Sequence, residues 1–140
     1  KVYVADFFFT TCPSICPNMT KNMFSLQEKL KTKYPEVKLL SYSVTPEIDT
    51  IEQLKRYAVE NKVDDKIWNL VTGDKKEIYN LARKSYLVVQ NDGNGGPHDM
   101  IHTENFVLID KENRVRGYYD GTDINEMDRL IIEIGMLKND

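Results

Sequence analysis

Cysteine is scarce in this chain. Two in 140 residues are too few for a disulfide framework, and with only three residues between Cys12 and Cys16 a bridge would staple almost nothing. Whatever these thiols do is local and chemical. Long apolar runs are missing as well. The longest such stretch, Val2 to Phe9, is broken by Asp6 and falls far short of the roughly 20 residues that a membrane-spanning helix needs. No basic segment leads into an apolar one, so no secretory signal is visible within these residues. Neither sign of charge dominates: 19 Lys and Arg stand against 22 Asp and Glu for a net charge of −3, and the cations are scattered, which argues against nucleic acid as a partner. Internal repeats, low-complexity segments and linkers are absent, because the glycines within 93–96 are too few to separate domains.

What is present suits a soluble globular chain, 41% apolar and 29% charged. Its length fits a single domain over residues 1–140. The chain opens directly on a core-type strand, so further residues are expected upstream, with any anchor or export signal among them. Residues 2–9 are β-branched and aromatic and read as a buried strand. After the TTCPSICP turn, Pro17 suits the first position of a helix running to about Thr32, with Met19, Met23, Leu26 and Leu30 on one face. VKLLSYSV at 37–44 reads as a second strand covered on both sides. Asp49 with Glu52 resembles a capping box for a helix to about Asn61, and Asp74 with Glu77 another for a helix to about Lys84. A short strand around Ile67–Val71 lies between them, and 86–89 read as a short strand leading to the loop NDGNGGPHDMIH. Residues 104–110 and 114–119 pair as a hairpin, and Asp123 caps a last helix with Ile124, Met127, Ile131 and Ile134 on one face. Strands joined by helices run parallel and the hairpin antiparallel, so the economical fold is α/β: a thioredoxin-like mixed sheet with helices on both faces.

Cys12 and Cys16 sit where the first strand ends and the first helix begins, the edge at which open α/β sheets place their sites. Four residues make about one helical turn, so both sulfurs can face one side. The positive end of the helix favours the thiolate, which binds metal or attacks a disulfide. A plainer role, two small apolar residues packed near a turn, fits poorly with flanking prolines. His102 directly precedes the strand ENFVLID, at an end of the same sheet, and is the natural third member. His98 reads as a solvent-exposed loop residue. Met19 and Met23 are spaced for the core rather than for metal. The stretch Asn91 to Ile101 holds three glycines and one proline without apolar periodicity, so little packing is expected to restrain it.

DFFFTTCPSICPNM, SVTPEIDT and IHTENFVLID together resemble the Sco/SenC copper chaperones of cytochrome c oxidase assembly, over nearly the whole chain. The resemblance implies a thioredoxin-like domain holding Cu(I) or Cu(II) through Cys12, Cys16 and His102. It also implies a copper-site subunit of a respiratory oxidase as recipient, with another copper chaperone as a further partner. The expected location is the bacterial periplasm or cell envelope, tethered to the inner membrane, or the mitochondrial inner membrane in a eukaryote. The chain departs from the family's usual residues at Thr45 (Asp), Ile51 (Pro) and Ile101 (Asp).

Donor chemistry points the same way. Thiolates suit Cu(I), imidazole also accepts Cu(II), and structural zinc would want a fourth ligand. The enzymatic alternative is a thiol–disulfide oxidoreductase that uses Cys12 and Cys16 to reduce a partner's copper site. Against it stand the C-x₃-C spacing and Ile101-His102 where thioredoxins carry a cis-proline. A peroxiredoxin would show threonine three residues before its cysteine, where this chain has Phe9.

Overall fold

Five strands form the sheet: β1 (Tyr3–Phe8), β2 (Lys38–Ser43), β3 (Trp68–Val71), β4 (Asn105–Ile109) and β5 (Val115–Asp120), ordered β3-β2-β1-β4-β5. The computed structural model describes residues 2–10, 15–86 and 103–138, with the backbone alone at 15–17. β1 pairs parallel with β2 and β2 with β3, while β4 runs antiparallel to both β1 and β5. The central strand reads as an almost unbroken apolar run because both of its faces are covered.

Helix α1 (Ile15–Lys33) and helix α4 (Ile124–Lys138) cover one face. The stripe Met19, Met23, Leu26 and Leu30 lies at 0–1% exposure against Val4, Leu39, Phe106, Met127, Leu130 and Ile134. Burying each such side chain contributes roughly 1.5–3 kcal/mol. Helix α2 (Ile51–Glu60) joins this face through Leu54 packed on Phe8. Helix α3 (Lys75–Asn80), continued by a π-helical segment over Leu81–Ser85, covers the other face, with Ile78, Tyr79 and Ala82 on Ala5, Phe7, Val107 and Ile109.

Several boundaries differ from the sequence expectation. α1 starts at Ile15 rather than Pro17, which leaves the proline within the first turn, where a backbone N–H has no intrahelical partner in any case. Thr50, not Asp49, caps α2, its hydroxyl accepting from the Gln53 N–H at 3.2 Å. Ile124 is 49% exposed because it opens α4 beyond the sheet, although Met127, Ile131 and Ile134 are buried as expected. Of the strand expected at 86–89, Tyr86 stands in a bend, and 87–89 lie outside the described residues.

Candidate metal centre

β1 ends at Phe8, beside Ser43 at the end of β2, and the chain leaves through Phe9 and Thr10. After four more residues, 11–14, α1 begins at Ile15, and Cys16 is its second residue. Because β4 is antiparallel to β1, it starts at the end of the sheet where β1 finishes. His102 precedes Asn105, the first residue of β4, by three positions. The topology therefore brings the chain segments that flank all three expected ligands to one end of the sheet. Cys12, His98 and His102 lie outside the described residues, and Cys16 is described by its backbone alone. Among the described residues, no group of three or more His, Cys, Asp or Glu could hold a metal ion.

The anchors of these segments are well defined. Val44 N–H donates to the Phe8 carbonyl at 2.8 Å, closing β2 onto the end of β1. Thr10 is held by Asp49, whose side chain is fully buried. The Asp49 carboxyl accepts from the Thr10 N–H at 3.4 Å and from the Thr10 hydroxyl. It also accepts from Ser43 Oγ at 2.7 Å and from Thr45 Oγ1 at 3.0 Å. Thr45 thus supplies a donor to this buried carboxyl. Gln53 Nε2 completes the set by donating to Thr10 Oγ1 at 3.2 Å.

The segment 87–102 is bounded by fixed ends as well. The Tyr86 hydroxyl meets that of Tyr3 at 2.7 Å, and Tyr118 donates to the Tyr86 carbonyl at 2.6 Å. Burial pushes the Tyr86 phenol well above its ordinary value, so it stays protonated. At the far end the Gly121 N–H donates to the Glu104 carbonyl at 2.7 Å. Gly121 has no room for a side chain, since a Cβ there would stand 2.8 Å from that carbonyl oxygen.

One more acid lies beneath α1. Asp6, on β1, is 2% exposed and accepts from Ser41 Oγ, which itself accepts from Trp68 Nε1 at 3.0 Å. Burial raises its carboxyl to about 7, and the Ser41 bond offsets this only in part.

Sequence reading missed Thr10, Ser43 and Thr45 as anchors and read Asp49 as a cap. The available signal was Thr50-x-x-Gln53, an equally good capping box one residue on, which frees Asp49 for another role.

A family model described as SCO1/SenC matches residues 1–136. The chain is similar to the SCO1 protein homolog of Bacillus subtilis (strain 168), 35% identical over 135 residues, which are 96% of this chain and 69% of that protein. Among solved structures it is similar to BsSco, described with a disulfide switch and as a member of the Sco family of cytochrome c oxidase assembly proteins. Identity there is 34% over 99% of this chain and 81% of that one, with a TM-score of 0.83. It is likewise similar to Arabidopsis thaliana ScoI solved with copper bound, at 27% identity, 97% and 85% coverage and a TM-score of 0.73. The mixed sheet with helices on both faces is the thioredoxin-like fold shared with these structures.

Proposed function

The chain belongs to the SCO1/SenC family, and from that premise we propose that it is a copper metallochaperone. It carries one copper ion as cargo on Cys12, Cys16 and His102 and delivers it to the copper site of a cytochrome c oxidase-type respiratory enzyme. What supports this most is the topology: the end of β1, the start of α1 and the start of β4 converge, and these flank the three ligands.

The residues do complementary work. Cys16 in the first turn of α1 stands at the positive end of a 19-residue helix, which favours its thiolate. Two thiolates hold soft Cu(I), and the imidazole extends the set to Cu(II). Three ligands leave a position open to a recipient's own donors, which suits cargo that must be handed on. Delivery into a membrane-embedded enzyme is served by a tether to that membrane in the cell envelope. Among the described residues, no helix is long and apolar enough to cross one.

A second function, thiol–disulfide reduction, is favoured by the disulfide switch described for BsSco. The Cys12 thiolate would attack a partner's disulfide to form a mixed disulfide and release one partner thiolate. Cys16 would then resolve it, leaving a Cys12–Cys16 disulfide, with two electrons passed to the partner.

Titrating the reduced chain with Cu(I) and with Cu(II) tests the carrier function. One copper per chain is expected, with a thiolate-to-Cu(II) charge-transfer absorption that Cys12→Ser or Cys16→Ser abolishes. Unchanged copper stoichiometry in the double Ser variant would refute it. Reduction of an oxidised copper-site peptide by the metal-free chain, without copper transfer from the loaded chain, would favour the second function instead.

A further inference from the structure

We propose that Asp49 is a positioning residue for the cysteine segment, acting through Thr10. The proposal takes Cys12 and Cys16 as the working thiols, as in the carrier function.

Asp49 is at 0% exposure, yet every partner it has among the described residues is a neutral hydroxyl or backbone N–H. A carboxyl taken out of water without a cation beside it is costly to bury, so its place here calls for a local use. Helix α2 does not need it, because Thr50 supplies the cap. What Asp49 does hold is Thr10, by both its N–H and its hydroxyl, with Gln53 of α2 securing the same hydroxyl. Ser43 and Thr45 bond the other carboxyl oxygen, Oδ2, from the end of β2 and the connection that follows it, while the Thr10 hydroxyl is held on Oδ1.

Thr10 stands two residues before Cys12, and only residues 11–14 separate it from Ile15, where α1 begins. One end of that four-residue span is fixed by the helix. Asp49 fixes the other, from a different connection of the fold. A short span clamped at both ends loses conformational freedom before any cargo arrives, which lowers the cost of arranging two thiols around one ion. The tether therefore sets both how readily Cys12 meets outside reagents and how long copper stays bound.

Thr10→Val keeps the shape and the N–H but removes the hydroxyl link, while Thr10→Ser keeps both links. Ser43→Ala removes a different contact to the same carboxyl without touching Thr10. Two readouts are taken: the iodoacetamide alkylation rate of Cys12 in the reduced, metal-free chain, and the rate of copper loss to a chelator. Thr10→Val is expected to speed both by roughly three- to tenfold, the net worth of one ordinary hydrogen bond. Thr10→Ser is expected to match the wild type, and Ser43→Ala to lower the melting temperature while leaving both rates nearly unchanged. Asp49→Asn adds a direct test where it folds, with Thr10→Val deciding the matter where it does not. If the wild type binds no copper, the carrier function fails, but the alkylation arm still judges the tether. Alkylation unchanged by Thr10→Val, or sped equally by Ser43→Ala, would overturn the proposal and leave Asp49 a purely structural residue.

Discussion

Asp6 stands six residues before Cys12 on the central strand, and its carboxyl is raised by burial from 3.8 to about 7. In the unfolded chain it returns to the ordinary range. Between the two values the folded chain holds a proton that the unfolded chain has released, so the stability due to Asp6 is complete below about pH 4 and is lost as pH rises towards 7. Above both values nothing further changes. Asp6→Asn should flatten that slope and make the chain more stable than wild type at about pH 8, by up to about 4 kcal/mol for a shift of about three units. Denaturant unfolding of both proteins across this range checks it, and an unchanged slope in the variant would contradict it. In the sequence Asp6 is visible only as the residue that breaks an apolar run. Its raised carboxyl comes from burial in the core, which Ser41 offsets only in part, and no local pattern shows either.

Elements were legible wherever one periodicity ran long enough to outvote its neighbours. The α1 stripe at 19, 23, 26 and 30 is buried throughout, and the hairpin turns across Lys111–Asn113, with Asn113 at φ 63 in the left-handed region that asparagine tolerates. Edges were less legible, because two caps one residue apart are chemically equal until tertiary partners choose between them. Thr10, Ser43 and Thr45 claim Asp49, so Thr50 takes the cap. Thr50→Ala should therefore cost about 1 kcal/mol. Glu52→Gln should cost almost nothing, since among the described residues no cap hydrogen bond of α2 uses its side chain. Thermal midpoints of the two variants decide this, and an equal loss at Glu52 would restore the Asp49–Glu52 box.

At the scale of the whole molecule, the order of helices and strands made a mixed sheet readable, and the motif spacing singled out Cys12, Cys16 and His102. That the segments flanking them share one end of the sheet was not readable from spacing, since 85 residues lie between Cys16 and His102 in the chain. It depends on the antiparallel pairing that sets the start of β4 at the end of β1, and pairing is decided by tertiary contacts rather than by local pattern. On the proposed carrier function, the thiols belong to the strand–helix junction and the imidazole to the chain ahead of β4, so the two kinds of ligand should have separable roles. X-ray absorption at the copper edge on the Cu(II)-loaded chain tests this most directly. Two sulfur ligands and one imidazole nitrogen are expected, with the nitrogen lost in His102→Ala and kept in His98→Ala. A copper shell of nitrogen and oxygen alone, or an imidazole that disappears with His98 instead, would contradict the account.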